Sequence, residues 1–196
     1  MRMIAQIKNE AALKPFLADK CEDNGVCAII EDGIREDDIA IVKVDDYYNA
    51  TEKYPDIPPS ADFLVSVDCA GSCYALYVVE FKNIKSPKGF SVKNIYEKFR
   101  TTVEDFMSSR FAHIYCNKGY RIKDLIIYFV ADPYRLKKAG LSSYSEYKAG
   151  KVARGKTDST KIDNLLSQKP LKFRGKLYLI KHDPPPNPII TRLAAP

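Results

Sequence analysis

The stretch that decides the fold is DFLVSVDCAGSCYALYVVEFK, residues 62–82. Two apolar runs, residues 63–65 and 76–79, flank a short segment, residues 69–73, that contains a glycine and a serine suited to a tight turn. Apolar runs on both sides of such a turn are typical of two paired strands. The sequence therefore predicts an antiparallel hairpin.

The register of this hairpin places charged residues together. A turn that is symmetric about Gly71 sets Asp62 opposite Glu80 and Ser60 opposite Lys82. Directly opposed residues have Cβ atoms roughly 4.5 to 5.5 Å apart, and alternate side chains share a face, so one face gathers Asp62, Glu80 and Lys82. Two facing carboxylates need a cation between them or a raised pKa on one of them. A divalent metal meets that need, and the pattern favours a metal-dependent phosphodiesterase.

The chain contains a second acidic-x-lysine triplet, Glu146-Tyr147-Lys148, in a polar stretch with no apolar strand before it. A triplet of this kind arises about once per 200 residues by chance at average composition. We therefore assign no site to the second copy. The first copy differs because it has the strand, the hairpin and the partner Asp62.

Asp62 and the triplet Glu80-Phe81-Lys82 resemble the motif of the PD-(D/E)XK nuclease superfamily, whose fold is restriction-endonuclease-like. The motif proline does not directly precede Asp62. The dipeptide Pro55-Asp56 is present in a proline-rich loop, and Asp56 is kept as the alternative acid. Many members also carry an acidic ligand on the first helix, for which Glu10 and Glu22 are equal candidates.

The resemblance implies a mixed α/β fold of the α+β kind, with an αβββαβ core and further helix and strand additions at its C-terminal side. The sequence offers each element in that order. The expected elements are a helix carrying Ile4, Ile7, Ala11 and Leu13 and ended by Pro15; strands at 26–30 and 39–44; the hairpin; a helix after Ser91 carrying Val92, Ile95, Phe99, Val103 and Phe106; a strand at 125–130; a short helix with Ile162, Leu165 and Leu166; and a strand at 177–180.

The resemblance also implies a chemistry. Mg²⁺, for which Mn²⁺ can substitute, is expected to bind Asp62, Glu80 and the backbone carbonyl of Phe81. Lys82 is expected to orient the attacking water, and hydrolysis by analogy leaves a 5′-phosphate and a 3′-hydroxyl. The use of one metal ion or two stays open.

The net charge of +6 hides a division at the proposed site. Through Phe81 there are 7 lysines and arginines against 16 acids, and from Lys82 onward there are 24 against 9. Lysines and arginines drive polyanion binding, so the second part is expected to face nucleic acid. The predicted contacts are Lys85, Lys88 and Lys93, together with Lys151, Arg154 and Lys156 in residues 147–156, a stretch interpreted as a mobile loop.

The chain is interpreted as one domain, 1–196, with a core at about 1–131, a basic extension at 132–182 and a proline-rich tail at 183–196. The tail is expected to be extended and either to wrap a neighbouring subunit or to lie on the surface.

Five cysteines at irregular spacing, with no apolar segment resembling a signal peptide, favour a reducing, cytoplasmic location. The pairs Cys69/Cys73 and His113/Cys116 do not have standard zinc-finger spacing, and a structural role is favoured for them.

The leading hypothesis is a Mg²⁺-dependent DNA endonuclease of restriction-enzyme type that works as a homodimer or with a larger nuclease partner, RNA being the other possible substrate. The alternative is a non-catalytic or partner-dependent nucleic-acid-binding subunit of a nuclease, defence or repair complex. A third hypothesis is a structural protein whose acidic and basic parts pair with copies of itself.

Overall fold

A computed structural model describes residues 2–53, 55–69, 72–185 and 188–192. The α-helices are Met3–Asn9 (α1), Val44–Thr51 (α2), Val92–Arg100 (α3), Ala112–Tyr115 (α4), Tyr144–Ala153 (α5) and Lys161–Leu166 (α6). The strands are Leu17–Ala18 (β1), Glu22–Asp23 (β2), Val26–Cys27 (β3), Ile29–Ile30 (β4), Ile39–Lys43 (β5), Phe63–Asp68 (β6), Cys73–Lys82 (β7), Arg121–Ala131 (β8), Leu171–Phe173 (β9), Lys176–Tyr178 (β10), Ile180–Asp183 (β11) and Ile189–Ile190 (β12). Short 3₁₀ turns occur at Lys14–Phe16, Glu36–Asp38, Pro87–Gly89 and Lys137–Ala139, and a π-helix spans Thr101–Arg110.

The main sheet has six strands in the order β1-β5-β6-β7-β8-β11. Strands β1, β5, β6 and β7 pair in antiparallel fashion, whereas β8 runs parallel to β7 and β11 runs parallel to β8. Three successive antiparallel strands can be joined by short turns, but the parallel step from β7 to β8 needs a crossover, which α3 and the π-helix provide. The mixed α/β class with a mixed sheet is confirmed.

The hairpin of β6 and β7 has the predicted register. Its paired residues run from Phe63 with Val79 to Asp68 with Tyr74, so every pair has numbers that sum to 142. The N–H of Cys69 donates to the carbonyl of Cys73 over 2.8 Å at the closed end. Ala70 and Gly71 lie outside the described residues. The register prediction is confirmed over the whole ladder.

Both faces of the hairpin are covered. Even-numbered side chains such as Leu64, Leu76 and Val78 belong to the larger apolar cluster, under the helices. Odd-numbered ones such as Val65 and Val79 belong to a second cluster that includes residues from β3 and β12. Because side chains alternate along a strand, burial on both faces makes β6 and β7 the rigid centre of the sheet.

The helix predicted after Ser91 is confirmed, with one change of geometry. The Ser91 hydroxyl accepts a hydrogen bond from the N–H of Asn94, as an N-cap does, and Ile95 and Phe99 are buried. At Thr101 the α-helix widens into the π-helix, a rare form that is often found at functional sites.

Residues 147–156 were expected to form a loop, and for most of that range the prediction is wrong. They continue α5, which starts three residues earlier at Tyr144. The Ser143 hydroxyl accepts from the N–H of Glu146, while the Glu146 carboxylate accepts from the N–H of Ser142 over 2.8 Å. Tyr147 stacks on Tyr134 with ring centroids 4.9 Å apart. The N-terminal cap and this aromatic packing stabilise a helix whose sequence lacks an aliphatic stripe.

Two expected strands divide in the structure. Residues 26–30 form β3 and β4, which lie outside the main sheet, and residues 177–180 are shared between β10 and the parallel edge strand β11. In the tail, β12 pairs in parallel with β4, and Ile190 is buried. This part of the tail therefore packs on its own chain. Residues 186–187 and 193–196 lie outside the described residues.

Asp38 joins distant parts of the chain. Its carboxylate is 2% exposed and binds Arg35 at 2.7 Å, Arg2 at 2.9 Å and Arg192 at 2.5 Å. Arg35 above all, with Arg2 and Arg192, holds the pKa of Asp38 well below its usual value in spite of burial. The carboxylate thereby fixes α1 and the tail against the segment before β5.

We predict that Asp38→Asn lowers the free energy of unfolding by about 2 kcal/mol at pH 7, because hydrogen bonds to a charged group are lost. A depressed pKa stabilises the fold above the unfolded value of about 3.9 and is lost as pH falls through the folded value. The deficit of the variant should therefore begin to shrink below about pH 4 and continue to shrink as the pH falls toward the much lower folded pKa. Urea unfolding across this pH range tests the prediction, with the exposed neighbour Asp37→Asn as control. An equal deficit at pH 3 and pH 7 would contradict it.

Candidate active site

Glu80 is the centre of the candidate site. It lies near the end of β7, on the face covered by α3, and it is 0% exposed. Lys98 Nζ lies 2.8 and 2.9 Å from its two carboxylate oxygens, and Lys82 Nζ lies 2.8 Å from Oε1. Burial, together with the charge of Asp62, raises the pKa of Glu80 to about 7 although two ammonium groups oppose the rise. Burial therefore works against the charged form of this carboxylate, and the two ammonium groups counter it.

Asp62 lies beside it, as the register requires. It immediately precedes β6, one residue beyond the pair formed by Phe63 and Val79. Its Oδ2 accepts from the N–H of Phe81 over 2.7 Å, and its Oδ1 lies 3.4 Å from Lys98 Nζ. Asp62, Glu80 and Lys82 are thus brought together in the structure. Asp56, the alternative acid, lies in an exposed turn.

Lys98 was missed by the sequence analysis. It projects from α3, and its ammonium contacts both Asp62 and Glu80. Burial disfavours its charge, but the two carboxylates outweigh burial and raise the pKa of Lys98 above its usual value. The ammonium supplies the cation that two facing carboxylates need. The available signal was a lysine directly before Phe99, within the apolar stripe of the helix.

A buried threonine fixes Lys98 relative to Asp62. The Thr102 hydroxyl accepts from the N–H of Ala61 over 2.9 Å and donates to the carbonyl of Lys98 over 3.0 Å. One side chain therefore connects the residue before Asp62 to the turn that carries the lysine. Thr102 is the second residue of the π-helix, so the widened turn is part of this connection.

Asp45 is a second acidic residue that the sequence analysis missed. It lies in the first turn of α2, where the N–H of the preceding Val44 donates to the carbonyl of Asp62 over 3.0 Å. Burial, with the charge of Asp62, raises the pKa of Asp45 to about 6. Its position directly after an expected strand was the available signal, since polar residues at strand ends often build sites.

A cleft of about 400 Å³ opens beside these residues. Its lining consists of Asp45, Asn49, Ile57, Pro58, Pro59, Ser60, Asn94 and Lys98. Ser60, expected opposite Lys82, precedes the ladder and contributes to this wall instead. The cleft gives solvent and small polar groups a path to Asp45 and Lys98.

The two candidates for an acidic ligand on the first helix lie elsewhere. Glu10 follows α1 and its carboxylate lies 3.0 Å from His113 Nε2. Glu22 is exposed in β2, within a separate two-stranded sheet. Asp45 is instead an acid close enough to Asp62 to be affected by its charge.

The six basic residues predicted to contact nucleic acid fall into two groups. Lys85, Lys88 and Lys93 are exposed between the end of β7 and the first turn of α3, so they follow the site directly in the chain. Lys151, Arg154 and Lys156 lie at and beyond the end of α5, where Lys151 is half-buried and the others are exposed.

The acidic pair offers hard oxygen ligands, the kind that Mg²⁺ prefers. Within the described ranges, however, no three aspartate, glutamate, histidine or cysteine side chains form a group that could hold a metal ion. Lys98 contacts Asp62 and Glu80 together, between the carboxylates where a metal was expected. A metal ion at this position would have to displace the Lys98 ammonium.

Comparison of the chain with protein-family models, with curated proteins and with solved structures finds no match. In the part of the chain that the structure describes, no helix is long and apolar enough to cross a membrane.

We predict that Thr102→Val lowers the free energy of unfolding by about 1 to 3 kcal/mol. Valine keeps the shape of threonine but leaves the buried N–H of Ala61 without its acceptor. Thermal and urea unfolding measure the effect, with the neighbouring Thr101→Val as a matched control that should change stability by less than about 0.5 kcal/mol. Equal effects of the two substitutions would contradict the connecting role of Thr102.

Proposed function

We propose that this chain is a Mg²⁺-dependent endonuclease of restriction-enzyme type that hydrolyses phosphodiester bonds in DNA. The observation that carries the proposal is the fully buried Glu80 carboxylate, held within 3 Å of two lysines beside the second carboxylate Asp62. Burying two carboxylates and most of the Lys98 side chain costs free energy that an apolar cluster would avoid. Such clusters with a shifted pKa are concentrated at active sites.

The arrangement of elements supports the resemblance to the PD-(D/E)XK superfamily. Helix α1 precedes the antiparallel strands β5, β6 and β7, and α3 then leads to β8, parallel to β7. Apart from the short strands β1 to β4 and the helix α2, which interrupt it, this succession is compatible with the αβββαβ order that the resemblance implies. Asp62 directly before β6, with Glu80 and Lys82 near the end of β7, is compatible with the motif.

Asp62 and Glu80 would hold the metal ion, with the backbone carbonyl of Phe81 as a further ligand. A bound Mg²⁺ supplies a water of lowered pKa and positive charge for the phosphorane-like transition state. Asp62 is held in place by the N–H of Phe81, so the backbone of the motif itself fixes one ligand. Asp45 is the additional acid near Asp62, but among the described residues it does not form a three-residue metal-binding group with Asp62 and Glu80.

The two lysines have different exposures and therefore suit different tasks. The Lys82 side chain is 31% exposed and the Lys98 side chain 17% exposed. Lys82 can orient the attacking water and neutralise the phosphate, because it reaches solvent while staying on Glu80. Lys98 balances the charge of the acid pair before a metal ion binds, which keeps two buried carboxylates compatible with folding.

The charge distribution along the chain indicates the class of substrate. The region after Phe81 has 24 lysines and arginines against 9 acids, which favours a polyanion as the substrate. We propose DNA as that polyanion, with RNA as the other possible substrate. A homodimer would place one site on each strand of a duplex, and a larger nuclease partner could serve the same purpose.

A second function has an observation of its own. Because a lysine contacts both carboxylates and no three metal-binding side chains gather within the described residues, the chain could instead bind nucleic acid and cut only when a partner rearranges the site. Tight DNA binding without cleavage would favour this partner-dependent subunit.

We predict that the native chain nicks supercoiled plasmid with Mg²⁺ or Mn²⁺ and not with EDTA. Glu80→Gln and Lys82→Ala should each lower the rate at least about 100-fold, since each removes a group acting on the reacting phosphate. Cleavage of labelled RNA, assayed in parallel, decides the substrate class.

The matched controls for this experiment are Glu146→Gln and Lys148→Ala, in the triplet that lies on α5. They remove the same residue types away from the candidate site and should leave cleavage within about twofold. Similar losses in both triplets would count against the proposed site. Salt-sensitive DNA binding with no cleavage by any chain would support the partner-dependent subunit.

We further predict that Lys98→Met tightens Mn²⁺ binding about tenfold or more, because a competing cation within 3 Å of Glu80 is removed. Isothermal titration with Mn²⁺, together with the rise in melting temperature that Mn²⁺ causes, measures the change. Lys148→Met, at the lysine paired with Asp163 on α6, is the control and should bind Mn²⁺ like the native chain. Unchanged or weaker binding by Lys98→Met would show that Lys98 does not compete with a metal ion.

A further inference from the structure

A second cleft lies at the end of the two central parallel strands. It has a volume of about 600 Å³ and is lined by Ile84, Lys85, Asp132, Arg135, Lys137 and Lys138. We call it the basic cleft. Three of its cations, Arg135, Lys137 and Lys138, played no part in the sequence analysis.

The charge of the basic cleft is not balanced by its surroundings. None of its four cations forms an ion pair with a carboxylate among the described residues. The acid that lines it, Asp132, accepts hydrogen bonds from the N–H of Leu136 over 2.6 Å and of Lys137 over 3.2 Å. Its oxygens are therefore engaged with the backbone, and the cations remain available for an anion from outside.

The cleft is also held in shape before any ligand arrives. Arg135 has a positive φ of 54°, a conformation that costs a non-glycine residue roughly 1 kcal/mol or more. The backbone bonds of Ala139 to Arg135 and Leu136 and the full burial of Leu136 stabilise this turn. Arg135 Nε also donates to the carbonyl of Lys85 over 3.3 Å, which ties the two walls of the cleft together.

The position of the basic cleft relates it to the acidic site. Lys82 and Ala131 are the last paired residues of β7 and β8. Lys85 follows Lys82 by three residues, so their Cα atoms lie within roughly 10 Å. Asp132 follows Ala131 directly. The cleft and Lys82 therefore share the same end of the central strands.

We propose that the basic cleft binds the phosphates of the nucleic-acid strand on one side of the bond to be cut. This inference rests on the proposed function and assigns a substrate surface to it. Four cations on two chain segments, in an open cleft, match the successive phosphates of a strand better than a single small anion. Phosphate contacts of this kind position the strand and do not read its sequence.

The test compares two variants with equal loss of charge. The first carries Arg135→Gln, Lys137→Gln and Lys138→Gln. The control carries Lys169→Gln, Lys172→Gln and Lys176→Gln, which are exposed residues in and just before the β9–β10 hairpin. This hairpin lies near the start of β8, where Lys176 and Arg121 line another cleft, and the 11 residues of β8 span roughly 36 Å.

Fluorescence anisotropy with a labelled 20-base-pair DNA in EDTA gives the affinity at several salt concentrations, independently of cleavage. We expect the first variant to bind at least tenfold more weakly than the native chain at about 100 mM salt. Its plot of log affinity against log salt should be shallower by about 2 to 3, one unit for each phosphate contact removed. The control should stay within twofold of the native chain.

Equal weakening of both variants would overturn the basic cleft as a specific surface while leaving the nuclease proposal intact. If the first variant instead loses affinity for anionic phospholipid vesicles and keeps its affinity for DNA, the basic cleft is a lipid-binding surface. That result would overturn this inference and leave the nuclease proposal intact. A native chain that binds neither DNA nor RNA would overturn the proposed function together with this inference. Normal DNA binding with failed cleavage would overturn the enzymatic proposal alone.

Discussion

The interaction on which the rest of the structure depends is the contact of one lysine with two buried carboxylates. The hairpin register forces Asp62 and Glu80 into the same space, where their mutual repulsion would oppose folding. Lys98 relieves that repulsion only if α3 lies across the hairpin at the correct rotation. The packing of α3 on the hairpin and the charge balance of the site therefore depend on each other. Thr102 links the helix to the residue before Asp62 through its two hydrogen bonds.

The sheet explains how the carboxylates of Asp62 and Glu80 can remain buried and close together. Strands β6 and β7 are buried on both faces, so the backbone that carries the acids cannot relax by moving toward solvent. Burying charged groups costs free energy, and apolar packing on both faces of the hairpin offsets that cost. The polar groups lie at the end of this rigid centre, where Asp45 and Lys98 line an open cleft.

The parts of the fold with strong local patterns could be predicted from the sequence. The symmetric turn predicted the register of the ladder, and Asp62 and Glu80 lie one residue beyond its last pair. The apolar spacing after Ser91 located the crossover helix. Lys98 was missed because its place in the apolar stripe indicates the buried face of the helix but not a contact with both carboxylates, which depends on how α3 crosses the hairpin. Asp45 depends on the approach of α2 to the hairpin, a tertiary contact. Helix α5 was missed because tyrosine stacking and a cap stabilise it in place of an aliphatic face.

The π-helix constrains the number of residues in the segment Thr101–Arg110 as well as their identity. Its turns contain about one residue more than those of an α-helix, so Lys98 before it and Phe106 within it can both face the sheet. Loss of a single residue between 101 and 110 would rotate the part of the helix before the deletion against the part after it by about 100°. Lys98 would then lose its contact with Glu80, or Phe106 would leave the apolar core. Insertions and deletions should therefore be tolerated far less in this segment than in the exposed turns around it.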